Sequence, residues 1–244
     1  VVDVPLASDN ANYYAWTYDE TWEVYPDYTT DIYFDIELEE PVFKDNQFPV
    51  RGWKDATSRT IMIGGSANYE GQHIRRLKIY DIANSDERIF HRYSGLLHQR
   101  AISKAEYEYE LARRQAGSEM GGLFTPQPSS LPTNLHCLTS DKRVIGFVGC
   151  SMNTTDYRFF LNAEDFTIHR RPRTDTRIWL DDCSEQDCCE MVKQGMFLCE
   201  WIDERLVGHT LRTAWAHIHQ LDVRYRGAYI EEPEFWSLTE NVSY

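Results

Sequence analysis

Thiols carry the densest chemistry in this chain. Its six cysteines are Cys137, Cys150, Cys183, Cys188, Cys189 and Cys199, and the last four crowd into one short stretch. Thiols grouped in this way serve as disulfides in an oxidising compartment, as metal thiolates or as nucleophiles. The run C-x4-C-C-x9-C lacks the paired C-x2-C spacing of common zinc knuckles, so zinc is the less favoured use. As disulfides, the adjacent Cys188 and Cys189 would each reach a different partner, since neighbouring cysteines seldom bond to each other. Cys183 and Cys199 are the nearest candidates, and Cys137 or Cys150 would anchor the stretch to the rest of the fold. Spacing alone does not choose among the pairings.

Histidines and carboxylates offer less. His217-Ile218-His219 would put two imidazoles on one face of a strand, with His209 upstream. No H-E-x-x-H or carboxylate signature accompanies them, so a surface strand with ordinary polar contacts is the simpler reading. His91 and His98 fall near Arg92 and Arg100, where hydrogen bonding is the default. Asp181, Asp182 and Glu185 form a charge run of the kind usually found on a solvated loop. There is no G-x-S-x-G elbow, P-loop or dinucleotide fingerprint. The chain therefore reads as non-enzymatic, with no catalytic set, metal or cofactor expected.

Aromatic residues are the remaining candidates, with 15 Tyr and 7 Trp. Rings of this number supply stacking platforms for sugars or anchors for a protein interface. Core packing accounts for Trp16, Trp22 and Trp53. Leu123 and Phe124, in a Gly-Gly-Leu-Phe connector, either plug the core or form an interface.

The elements that must position these groups are mostly strands. Tyr14, Trp16, Tyr18, Trp22 and Val24 alternate with polar or smaller residues, and Ile32, Phe34, Ile36 and Leu38 alternate with acids, giving two half-buried strands. Arg59–Ile63 and Ile74–Tyr80 add shorter ones. Arg88–Arg100 reads as a long strand. Ser103 and Glu106 then form an S-x-x-E capping box opening a helix over about residues 103–116, with Ala105, Tyr109, Ala112 and Ala116 on its apolar face and Gly117 as its stop. A Gly- and Pro-rich connector over 119–133 leads to a meander of Asn134–Leu138, Arg143–Cys150 and Tyr157–Leu161. Beyond Asp165, strands are expected at Arg177–Leu180 and within Leu206–Ile218, and a strand or short helix at Met191–Leu198. The motif Pro233-Glu234-Phe235-Trp236 should tuck aromatic rings against the core. The expectation is a mainly β chain, an antiparallel β-sandwich or barrel with one inserted helix. It is read as a single β-rich domain over 1–244, with 165–244 a Cys-containing tail on the same core.

A series of pieces in fixed order resembles one known family. They are YYAWTYDETWEVY at Tyr13–Tyr25, GWKDATSRTIMIGGSANY at Gly52–Tyr69 and HRYSGLLHQRAISKAEYEYELARRQ at His91–Gln115. They continue with GGLFTPQPSSLPTNLHC at Gly121–Cys137, VIGFVGCS at Val144–Ser151, YRFFL at Tyr157–Leu161 and RGAYIEEPEFW at Arg226–Trp236. The series is similar to the C-terminal half of a Bacteroidota exported lipoprotein family, catalogued as a domain of unknown function and encoded beside TonB-dependent outer-membrane receptors. The resemblance implies a lipid-anchored protein of the outer membrane or cell surface, or a periplasmic one, with disulfides. It also implies a TonB-dependent receptor as partner in nutrient uptake and an oligosaccharide or peptide as ligand. A structural or adhesive surface protein is the second reading, and a hydrolase or metal enzyme the third. Two positions depart from the family pattern. Members carry a Cys before the Trp matching Trp53, where this chain has Gly52, and a C-x-D-C-R run where it has Leu221-Asp222-Val223-Arg224. The family's disulfide scheme therefore does not transfer intact. Its signal, lipidated Cys and immunoglobulin-like domain would lie upstream of Val1.

Charge and length bound the rest. A formal net charge of −14 argues against nucleic acid, whose phosphates demand a basic surface. The basic clusters Arg75, Arg76, Lys78 and Arg170, Arg171, Arg173 are read as solvated faces. At 244 residues and 42% hydrophobic, the chain suffices for a substantial core. No run approaches the ~18 apolar residues of a membrane span, so attachment to a membrane would depend on an anchor outside this chain.

Overall fold

The run Tyr13–Val24 is rich in aromatic and β-branched residues, which favour a pleated surface, and it forms the longest strand and the axis of the fold. The computed structural model describes residues 2–4, 12–69, 73–118, 131–151, 154–170, 178–203, 210–238, 240 and 242–243. In chain order the strands are β1 (Val2–Val4), β2 (Tyr13–Val24), β3 (Ile32–Asp35), β4 (Glu40–Phe43), β5 (Gly52–Thr57), β6 (Met62–Gly65), β7 (Ile74–Leu77), β8 (Tyr93–Ala101), β9 (Thr154–Leu161), β10 (Ile178–Trp179), β11 (Met196–Asp203), β12 (Thr210–His217) and β13 (Val242–Ser243). The helices are α1 (Lys104–Ser118), α2 (Glu185–Lys193) and α3 (Ile218–Leu221).

Every strand pairing among the described residues is antiparallel. The large sheet runs β13-β9-β8-β2-β5, and β6 shares the β5 edge of β2. A smaller sheet runs β10-β12-β11, and β3 with β4 and β1 with β7 make two-stranded ribbons. The mainly β expectation therefore holds, with open sheets and no closed barrel among the described residues. Trp16 is fully buried with Tyr14 and Ile74 on one part of β2, while Trp22, Val24, Tyr93 and Val223 form a second apolar cluster at its other end.

Several sequence expectations change for identifiable reasons. The alternating run from Ile32 ends at Asp35, because the Asp35 carboxylate accepts the backbone N–H groups of Glu37 and Leu38 at 2.8 and 3.1 Å. That local turn, closed by Glu39 at φ +56°, folds the run into the β3–β4 hairpin and leaves Ile36 and Leu38 exposed. Asn134–Leu138 and Arg143–Cys150 are not strands. The Asn134 side chain takes the place of a ladder partner, donating to the Val148 carbonyl and accepting from its N–H, each at 2.9 Å. Gly146 at φ +142° breaks the extended run as well. Arg88–Arg100 divides into a 3-10 turn at Glu87–Ile89 and then β8.

The inserted helix forms as α1, opened by Ser103 Oγ accepting the Glu106 N–H at 3.1 Å. Only part of its expected apolar face turns inward: Tyr109 and Ala112 are half-buried, the Tyr109 ring stacking on Phe147 at 5.5 Å. Ala105 is exposed, while Glu106 and Glu110 are buried, Glu106 pairing with Arg100 at 2.6 Å rather than reaching back to the cap. The charged run after Asp181 yields α2, because Ser184 and Asp187 form a reciprocal capping box.

The C-terminal segment closes over the back of the large sheet. Trp236 is 1% exposed and donates its indole N–H to Glu23 at 3.0 Å, and Arg92 donates to the carbonyls of Trp236 and Leu238. Trp53 and Tyr229 exchange backbone hydrogen bonds of 2.8 and 2.9 Å. That pairing presses Gly52 so close to Val223 that a Cβ on Gly52 would stand 2.9 Å from a Val223 methyl.

Candidate binding site

Three strands of the large sheet present their front faces in matched rows. Register aligns Tyr18 of β2 with Leu97 of β8, and Leu97 with Tyr157 of β9. The next row is Glu20, Gly95 and Phe159, and the next is Trp22, Tyr93 and Leu161. Gly95 is what lets this face open. A Cβ there would lie 2.4 Å from the Phe159 ring, so only glycine allows that ring to lie across the sheet.

Above these rows the segment from Ile79 to Ile89 arches over the sheet and encloses a cavity of about 440 Å³. Its walls are mostly rings and branched aliphatics, among them Tyr80, Ile82, Phe159 and Phe166, with Asp81 and Asn84 as polar members. Tyr18 and Tyr80 lie with ring centroids 4.6 Å apart, and Phe159 contacts both Tyr93 and Tyr157. The volume falls in the range of small-ligand pockets.

One buried ion-pair hub fixes the arch to the sheet. Glu20, 4% exposed, accepts Arg88 Nη1 on both oxygens at 2.9 and 3.0 Å and the Tyr93 hydroxyl at 2.8 Å. Arg88 also pairs with Asp86 at 2.7 Å and donates to the Tyr80 hydroxyl. Burial, followed by the charge of Glu20, pushes the Tyr93 hydroxyl far above its ordinary range. Burial and the neighbouring Tyr80 do the same for Tyr18. These phenols stay neutral at any physiological pH.

A second cavity of about 570 Å³ lies on the other side of the same turn, since Ile89 faces the first and Phe90 the second. Here the His91 and Tyr25 rings lie 4.3 Å apart, tilted by 40°, and Arg226 is held by Asp27 and the Tyr25 carbonyl at 3.0 Å each. Burial, then the charge of Arg170, holds the His91 pKa below its usual value. Glu23 is occupied by Arg51, Trp236 and the Arg92 N–H.

On the back of the sheet His98 bridges two strands, with Nδ1 2.8 Å from Asp156 and Nε2 3.0 Å from Asp19. Burial opposes its protonation, but the two carboxylates outweigh that and raise its pKa. A raised native pKa contributes stability that is complete below the unfolded value near 6.5 and is lost as pH rises through the native value. The groups are partly solvated, so the contribution stays under about 1 kcal/mol. Urea denaturation of the parent and His98→Gln across about pH 5.5 to 8.5 should show a gap that is widest at the acid end and closes towards alkaline pH. A gap independent of pH would mean that His98 acts through packing alone.

The thiols do not assemble as their spacing suggested. All six cysteines are free. Cys183 precedes the Ser184 cap and Cys188 is the fourth helical residue of α2, the two positions of a hydrophobic staple, and both pack in the cluster of Ile32, Leu198 and Trp215. Burial raises both thiol pKa values, which leaves them poor nucleophiles. Cys199 is on the opposite face of β11, packed with Tyr28, Ala216 and Leu221, because alternate strand residues point to opposite sides. The Cys183–Cys199 pairing is therefore replaced by two separate apolar roles. Cys137 is drawn down to about 7 by the Ser140 and Thr139 hydroxyls, whereas Cys150 is exposed and Cys189 half-buried on α2.

His217 ends β12 and His219 lies in α3, so the two share no strand face although their rings stack at 5.4 Å. No group of three or more His, Cys, Asp or Glu among the described residues is arranged to hold a metal ion. Leu123, Phe124 and His209 lie outside the described residues. Sequence reading did single out the aromatic strand β2, but it missed the pocket, whose members come from strands far apart in the chain. The glycine within an otherwise bulky strand, Gly95, was the available signal.

A family model described as a domain of unknown function, DUF4249, matches residues 2–157. That span includes β2, the arch and β8, and ends at Tyr157 on the pocket wall. No curated protein and no solved structure matches the chain.

Proposed function

We propose that this chain, which belongs to the DUF4249 family of domains of unknown function, is a non-enzymatic binding module of the bacterial cell envelope. In this reading it captures a ligand in the aromatic cavity between the arch and the large sheet, and works beside a TonB-dependent outer-membrane transporter in nutrient uptake. The carrying observation is the cavity itself, which is roomy and ring-lined, with the Tyr80 and Tyr93 hydroxyls of its lining already bonded to the Glu20–Arg88 ion pair. Such a site is built to hold a guest rather than to move protons, because Glu20, Arg88, Tyr80 and Tyr93 spend their polar atoms on one another. The envelope setting and the transporter partner rest on the ordered motif series from Tyr13 to Trp236.

The test is affinity capture of the intact lipoprotein from cross-linked envelope extracts of the native host grown on peptide- or glycan-rich medium. A TonB-dependent transporter should co-purify, and should do so less when the pocket wall is cut back by Tyr157→Ala. Recovery of no transporter in either medium would sink the partnership. Equal recovery with the variant would sink the role given to the pocket.

A further inference from the structure

Resting on the binding role proposed for this cavity, we infer that its guest is an uncharged apolar group, an aromatic or branched aliphatic side chain of a peptide, and not the ring of a sugar. Aromatic pockets for sugars pair a ring platform with hydrogen-bonding groups aimed at the sugar hydroxyls, since an unpaired buried hydroxyl is costly to bind. This cavity has the rings, but three of its four phenol hydroxyls are already engaged. The Tyr93 hydroxyl is spent on Glu20, and the Tyr80 hydroxyl receives Arg88. The Tyr18 hydroxyl interacts with Tyr80. Glu20 in turn has both oxygens occupied by Arg88. These three phenols thus offer faces and edges rather than donors, and Ile82, Leu97 and Leu161 complete a mostly apolar lining.

Charge gives the same answer. A carboxylate guest would enter beside Asp81, and Arg88, which bonds the lining Tyr80, is already engaged with Glu20 and Asp86. A cation would find a single carboxylate in the lining, that of Asp81, which is already paired with Lys78 at 3.0 Å. An uncharged guest meets neither penalty and gains ring contact with Tyr157 and Phe166, which are 39% and 46% exposed and stand ready at the wall. Peptide groups flanking such a side chain would find Asp81 and Asn84 as polar neighbours.

Methyl-resolved NMR titration separates the possibilities, with indole and N-acetyltryptophanamide as apolar probes and maltose as the sugar probe. The apolar probes should shift the Ile82, Leu97 and Leu161 methyls to saturation, and maltose should leave them unmoved at the same concentration. Tyr157→Ala, at a wall position whose side chain is 39% exposed, should weaken the apolar probes by about fivefold, the scale of one lost ring contact. Ile82→Trp, which fills the cavity, should abolish the shifts. If maltose moves these methyls, with or without indole, the guest class is overturned while the cavity remains a binding site. If no probe moves them, both this inference and the binding role of the cavity fall. Unchanged apolar affinity in both variants would mean that binding occurs elsewhere, and would likewise overturn it.

Discussion

Arg88→Ala is expected to destabilise the fold by about 3–5 kcal/mol, the scale of a buried ion pair broken from one side. The side chain of Glu20 is only 5% exposed, and Arg88 is the sole charge paired with it among the described residues. Removing Arg88 leaves that carboxylate with the Tyr93 hydroxyl alone. The opposite truncation is milder. In Glu20→Gln the arginine, 22% exposed, keeps its bonds to Asp86, and the amide oxygen can still accept from it, so a loss of about 1–2 kcal/mol is expected. The pair is therefore asymmetric, and the double variant Arg88→Ala with Glu20→Gln should recover much of the single Arg88 loss, because no unpaired charge remains buried. Urea denaturation of the four proteins measures this cycle directly. Additive losses would show that the arch is held by its apolar contacts and that Glu20 is solvated when Arg88 goes. The same cycle reports on the site, since Arg88 joins the arch to the sheet and sets the width of the cavity between them.

That hub also shows what sequence alone can and cannot express. Period-two aromatics announced β2, and a capping serine announced α1, because both signals are local and the physics that fixes them spans a few residues. Glu20 falls on the same face of β2 as Tyr18 and Trp22, where a carboxylate interrupts an aromatic row and the pattern does not say what neutralises it. Its burial is decided by Arg88, which lies across the sheet and is delivered by the arch, and no spacing rule relates the two. The hairpin at Asp35 failed for the converse reason. Ile36 and Leu38 continue the alternation of Ile32 and Phe34, yet one carboxylate capturing two backbone N–H groups outweighs that pattern locally. Cysteine spacing misled in a third way. Cys183, Cys188 and Cys199 are near in sequence, but a helix cap holds the first two together while strand alternation turns the third away.

Gly52 and Val223 carry the second large effect. Gly52→Cys alone should destabilise by about 1–3 kcal/mol, because its Cβ would stand 2.8 Å from the Tyr229 carbonyl and 2.9 Å from the Val223 methyl, and the backbone pairing of Trp53 with Tyr229 gives little room to retreat. Combining it with Val223→Cys removes the methyl that causes part of the clash and places two sulfurs at adjoining positions. Contact this close suits a disulfide, whose Cβ atoms lie about 3.5–4.5 Å apart. A bond there would tie β5 to the turn after α3 and close a very long loop. The oxidised double variant should therefore exceed its own reduced form by about 4 kcal/mol, read as a rise in Tm that added dithiothreitol abolishes. Comparing one protein in two redox states removes the packing cost common to both. Equal Tm in the two states, with the bond verified by mass spectrometry, would mean that native strain cancels the gain. Failure of the bond to form at all would show that these positions are neighbours through Gly52 only because a glycine is there. Close packing of a glycine against Val223, with Trp53 and Tyr229 paired beside it, does in this chain the joining that a covalent bond would do, and does so without depending on the redox state of its surroundings.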